Sequence, residues 1–121
     1  MEKIVVIGSN SFSGSHLVDQ LLEKTDYEVI GISRSKEKNP IFLTYKKKKT
    51  TKFSFYQMDL NKHINDMMKL FDEEKPEYIV NFAAQSEVGP SWDNPEHWFR
   101  TNVIGILNLT NNLKEKEYLD R

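Results

Sequence analysis

The stretch IVVIGSNSFSGSHLV, residues Ile4 to Val18, decides how the rest of the chain is read. Four apolar residues, Ile4 to Ile7, break at Gly8, pass through a Ser/Asn-rich turn, and resume at Gly14 with apolar residues at helical spacing. That is a buried strand, a tight turn and a helix. The turn aims the free amides and positive dipole end of the helix at one spot above the strand's carboxyl end, which suits a diphosphate. Gly8, Ser11 and Gly14 hold the three positions of a G-x-x-G-x-x-G turn whose middle glycine is serine. Gly8 would allow the tight turn and Gly14 close packing of helix on sheet. Ser11 either crowds the phosphate with its Cβ or donates to it with its hydroxyl.

Working outward, the helix is expected from about Gly14 to Lys24, with Leu17, Val18, Leu21 and Leu22 in one stripe at ~100° per residue. Tyr27 to Ile32 reads as a second strand, followed by a long polar crossover through Pro40 and the lysines 46–49. Phe53 to Met58 makes a third strand, and Ile64, Met67, Met68 and Phe71 mark an amphipathic helix stopped before Pro76. Tyr78 to Phe82 is a fourth strand. After a loop from Ala83 to Asp93, Asn94 and Pro95 open a helix running to about Lys116. Its apolar residues, among them Phe99, Val103, Ile104 and Leu107, cover more than the ~100° stripe of a helix with one buried face. A second contact surface follows, with a homodimer through residues 95–116 as one candidate. Alternating strands and helices imply an α/β fold, a parallel sheet with helices on both faces.

Bulk composition narrows the setting. The 121 residues suit one domain, yet a doubly wound dinucleotide fold usually has more strands than this. With 17 basic against 18 acidic side chains, no overall field recruits nucleic acid or an anionic membrane. Absence of cysteine excludes disulfides and thiolate metal sites and fits a cytoplasmic protein. No run approaches the ~18 apolar residues of a membrane span, and His16, His63 and His97 have no metal-ligand spacing. Lysines 46–49 with Lys52 read as a solvated loop.

Further binding residues follow from position along the strands. Arg34 comes just after strand two, where an adenosine ribose would lie; an acid there favours NAD, whereas Ser33, Arg34 and Ser35 are donors suited to the 2′-phosphate of NADP. Asp59 either accepts from the adenine amino group or caps the next helix. Ala83 and Ala84, at the carboxyl end of strand four, either let a flat ligand approach or simply pack closely, and Gln85, Ser86 and Glu87 bring polar groups to the same rim. Trp92 and Trp98 border a substrate or subunit contact, or merely pack.

These segments resemble the extended short-chain dehydrogenase/reductases, whose fingerprint is T-G-x-x-G-F-I-G-S-H-L. Phe12, Ser15, His16 and Leu17 match it; Ile7, Ser11 and Ser13 depart. YQMDL is similar to the aspartate-leucine step after strand three, at Asp59 and Leu60, and YIVNFAAQSEVGPSWDNPEHWFRTNVIGILNLT resembles the nucleotide-sugar branch, nearest to 4,6-dehydratases of the dTDP-glucose or GDP-mannose type and to 4-epimerases. The resemblance implies a Rossmann-like sheet in the order 3-2-1-4, the first four strands of a larger fold. It implies NAD(P)+, held by Gly8, Ser11, Phe12, Ser13, Gly14, Ser33, Arg34, Asp59, Leu60, Ala83, Ala84 and Gln85, that oxidises a sugar at C4 before dehydration or epimerisation. Ser86 and Glu87 would lie near the sugar. Asn102 would sit close to the catalytic centre, or else bond neighbouring backbone.

The family's proton chemistry requires Tyr-x-x-x-Lys beside a Ser or Thr, normally after strands five and six. Tyr45 and Lys49 satisfy the spacing but lie in the crossover, far from the nicotinamide end, and are rejected; Tyr118 has no residue four positions on. The expectation is therefore an N-terminal, cofactor-binding part of a nucleotide-sugar enzyme with no catalytic residue among its 121, binding cofactor weakly or not at all alone and not turning over. A non-catalytic nucleotide-binding module is the alternative from another class.

Overall fold

The computed structural model describes residues 2–43, 45, 50–84 and 88–120. Four strands form one parallel sheet in the order β3-β2-β1-β4: β1 is Lys3–Ile7, β2 Glu28–Ser33, β3 Phe53–Gln57 and β4 Tyr78–Asn81. The alternating pattern implies the parallel sheet, and the family resemblance its order. β1, central and apolar from Ile4 to Ile7, divides these side chains between two cores, as strict alternation in a pleated strand requires. Val5 and Ile7 join Ile30, Ile32 and the buried face of α2 (Ile64–Glu74), where Met67 and Phe71 are wholly buried. Ile4 and Val6 join Val29 and Val18 of α1 (Phe12–Lys24) on the opposite face, with Leu43 and Tyr45 of the crossover.

Strand and helix limits shift slightly from expectation. β2 ends at Ser33, β3 at Gln57 and β4 at Asn81. α1 begins two residues before Gly14 because Ser11 caps it, its hydroxyl oxygen accepting from the Gly14 amide at 3.0 Å.

The larger differences follow β4. The expected loop to Asp93 contains a short helix, α3 (Val88–Asp93), whose Pro90 falls in the first turn, where a missing N–H costs nothing. The single helix expected from Pro95 to Lys116 is α4 (Pro95–Phe99), a π-helical turn Arg100–Gly105 and α5 (Ile106–Leu113). Gly105 is where the wide turn packs: a Cβ there would come within 3.0 Å of Asn61 Oδ1 and 3.1 Å of the Arg100 carbonyl oxygen. Asn94 stands at the α4 N-terminus but makes no side-chain capping bond.

Beyond α5 the chain turns at Leu113 and returns to α2 and β4. Lys116 Nζ and the Tyr118 hydroxyl donate to Asp72, and these hydrogen bonds hold its carboxyl below the usual range. The Asp120 amide donates to the Glu77 carbonyl at 2.9 Å, and the Tyr78 hydroxyl, pushed up to about 12 chiefly by this bond, donates to the Asp120 carboxylate. Part of the broad apolar face stays open, with Trp92, Phe99, Val103 and Leu107 all more than half exposed. No helix among the described residues is long and apolar enough to cross a membrane.

Candidate functional site

A cleft of about 250 Å³ opens at the carboxyl edge of the sheet, bounded by the turn after β1, the loop after β2, the loop after β3 and the chain leaving β4. This is the crevice where open α/β sheets take their ligands. It lies where β1 and β4 part, so the chain order of the strands creates it.

The turn after β1 is built around two glycines. Gly8 has φ of +89°, a left-handed backbone that favours glycine, and a Cβ on it would sit 2.9 Å from the Phe82 carbonyl carbon. Gly14 packs so closely that a Cβ would overlap the Gly8 carbonyl oxygen. Ser11 is half-buried, and both sides of its hydroxyl are engaged: it donates to the Gly8 carbonyl at 2.7 Å and accepts from the Gly14 amide. The hydroxyl is a cap that staples the turn. The amides of Phe12 and Ser13 have no acceptor among the described residues and stand at the start of a 13-residue helix. They are the donors a diphosphate would meet.

Around this turn the cleft gathers most of the residues expected from sequence. Gly8, Ser11, Ser33, Arg34, Asp59, Leu60, Ala83 and Ala84 line it. Ser33 is buried, its Oγ accepting from the Asn10 amide at 3.0 Å, and the exposed Arg34 follows at the rim. Asp59 does not cap α2, which starts after His63; its carboxylate accepts from the Asn61 amide at 2.8 Å in a tight turn. Phe12 and Ser13 do not line the cleft through their side chains: the Phe12 ring is 80% exposed and stacks against His16, with ring centroids 4.4 Å apart. Asn102 lies in the π-helical turn next to Thr101, which lines the cleft in its stead. Gln85, Ser86, Glu87 and the lysines 46–49 lie outside the described residues.

The cleft also contains residues that spacing did not single out, namely Asn10, Lys38, Asn61, Phe82 and Thr101. Asn10 was legible as a turn residue but not as a buried one. Thr101 depends on the π-helical turn, which brings it over the β3 loop, where Asn61 Nδ2 donates to Thr101 Oγ1 at 3.0 Å. Tyr45 is on the other face of the sheet, its hydroxyl donating to Glu37 at 2.9 Å. Burial, then that carboxylate, push its phenol upward, the reverse of what a proton-transferring tyrosine needs.

Residues 5–120 match the protein family described as GDP-mannose 4,6 dehydratase. Protein CapI of Staphylococcus aureus is 33% identical over 110 residues, an alignment covering 88% of this chain and 32% of that protein. Among solved structures, the UDP-Glc/GlcNAc 4-epimerase from Campylobacter jejuni superposes with a TM-score of 0.81 at 29% identity, covering 98% of this chain and 35% of that one. The UDP-glucuronic acid 4-epimerase from Bacillus cereus, solved with UDP-glucuronic acid and NAD, gives 0.78 at 25% identity, covering 98% and 38%. The chain thus spans about a third of the length of the relatives it matches. With its 3-2-1-4 sheet, its glycine turn and a match over nearly all its residues, the chain belongs to the GDP-mannose 4,6-dehydratase family, in the nucleotide-sugar epimerase/dehydratase branch of the extended short-chain dehydrogenase/reductases.

Proposed function

We propose that residues 1–121 are the cofactor-binding part of a nucleotide-sugar 4,6-dehydratase, and that they take NADP in preference to NAD. The observation that carries this reading is the cleft itself, which brings Gly8 and Ser11 of the turn after β1 together with Ser33, Arg34 and Lys38 of the loop after β2. The Phe12 and Ser13 amides hold the diphosphate, and Gly8 keeps the backbone low enough for it to approach. Arg34 and Lys38 take the ribose 2′-phosphate, Asp59 accepts from the adenine amino group, and Ala83 and Ala84 leave room beside β4. When bound, the cofactor supplies reversible removal of hydride from the sugar.

Tyr45 supplies no proton to the cleft, since it is committed to Glu37 on the far face. The chain by itself is accordingly expected to bind cofactor weakly and to leave a nucleotide sugar unchanged. Epimerisation at C4 is the second reading, favoured by structural neighbours that include 4-epimerases. The open apolar face around Phe99, Val103 and Leu107 supports a subunit contact in either case.

The coenzyme preference is tested at Arg34. A hydrogen bond to a charged group contributes about 1.5–3 kcal/mol, so Arg34→Ala should weaken NADP+ by roughly ten- to a hundredfold and NAD+ by less than about twofold. Calorimetric or NMR titration of both coenzymes measures it. Tighter binding of NAD+ than NADP+ by the unaltered protein would defeat the preference.

A further inference from the structure

Resting on that cofactor reading, we propose that Asn10 is a positioning residue: it clips the loop after β2 onto the diphosphate turn and so sets the selectivity of the cleft at the ribose 2′ position. Asn10 is 6% exposed, unusual for the third residue of a surface turn. Its backbone amide donates to Ser33 Oγ at 3.0 Å. Its side-chain Nδ2 donates to the Lys36 carbonyl at 2.9 Å, to Ser35 Oγ at 3.2 Å and to the Ser35 carbonyl at 3.3 Å. Arg34 is therefore bracketed: the residue before it and the two after it are all tied to Asn10.

Elsewhere the loop is tied at Glu37, to which the Tyr45 hydroxyl donates at 2.9 Å. Between the end of β2 and the 3₁₀ turn Pro40–Phe42 it has no regular structure, and Arg34, Ser35, Lys36 and Lys38 are all exposed. Gln57 Nε2 reaches the Arg34 carbonyl from β3 at 3.2 Å, an exposed contact. A long cationic side chain gives selectivity only if its backbone is fixed, because ordering a free loop on binding costs about 1–2 kcal/mol per residue. Asn10 supplies that order before the ligand arrives.

The orientation of the amide supports the same role. Asn10 Oδ1 is buried without a hydrogen-bond partner among the described residues. Turning the amide over would place that oxygen against the Ser35 and Lys36 carbonyls, so the donors stay on the loop. An orphaned buried acceptor costs about 1–3 kcal/mol, which a residue present only to fill space would avoid. Asparagine fits here because it is short enough to be buried in the turn and carries two donors at its tip. Aspartate would repel the loop, and serine would not reach both residues.

Two measurements on the ¹⁵N-labelled chain test this: titration with NADP+ and with NAD+, and amide hydrogen exchange. Asn10→Ala should weaken NADP+ about five- to tenfold while changing NAD+ less than twofold, and should speed exchange at residues 34–38 without changing it within α1. Asn10→Asp, which keeps the volume, should loosen the same amides and serves if the alanine variant folds poorly. Equal weakening of both coenzymes, or loop exchange as slow as in the parent, overturns the assignment. A parent that binds neither coenzyme sinks the cofactor reading and the selectivity with it; unchanged exchange in a parent that does bind removes Asn10 alone.

Discussion

Gly14→Ala should abolish coenzyme binding and destabilise the chain more than any other single-methyl addition in the turn. The new Cβ would overlap the Gly8 carbonyl oxygen and approach the Gly8 carbonyl carbon and Ser11 Oγ, each at 2.9 Å. Two of these three neighbours are backbone, and the third is held by bonds to Gly8 and Gly14, so none can swing aside. Either α1 must rise off the sheet, uncovering Val18, or the turn must open and displace the Phe12 and Ser13 amides. Overpacking of this kind costs about 1–3 kcal/mol and occasionally more. Urea unfolding and coenzyme titration, with Gly89→Ala as control because no atom of the described residues lies within 4 Å of a Cβ there, measure both effects. A Gly14→Ala chain of parental stability and affinity would show that α1 does not seat on Gly8 as described.

Phe71→Ala should give the largest loss of stability without touching the cleft. Phe71 is wholly buried and sits in the core shared by β1, β2, α2 and Leu109 of α5. Truncating a buried phenylalanine costs about 3–5 kcal/mol, much of the roughly 5–15 kcal/mol that keeps a domain folded. The urea midpoint should fall steeply with little change in slope, while the folded fraction keeps the parent's coenzyme affinity, since Phe71 lines no part of the cleft. A loss below about 1 kcal/mol would mean that α2 does not pack on the sheet as described.

The strand–turn–helix opening was legible because three local signals agreed: an all-apolar run, a glycine where the chain turns, and apolar residues resuming at helical spacing. The parallel sheet followed from the alternation of strands and helices, and its order from the family resemblance. What escaped the sequence depended on contacts distant in the chain. Nothing in RTNVIG marks a π-helical turn, because the wide ring arises where Gly105 settles against Asn61 and Leu60. Val88–Asp93 contains Gly89 and Pro90, which argue for a loop unless the proline falls in the first turn. Asn10 reads as an ordinary turn residue until Ser35 and Lys36, twenty-five and twenty-six positions away, close over it. Ser11 posed a choice between donating to a phosphate and crowding it, and its role as the cap of α1, bonded to Gly8 and Gly14, was not read from the sequence.

The central claim is that the cleft above β1 and β4 is a cofactor cradle, and a chemical-shift titration of the ¹⁵N-labelled chain with NADP+ to millimolar concentration tests it most directly. The expected result is weak, saturable shifts at Gly8 to Ser13, at Ser33 to Ser35, at Asp59 and Leu60, and at Ala83 and Ala84, with the open face around Val103 and Leu107 unaffected. No shift at those amides, or shifts confined to the open face, would contradict the account.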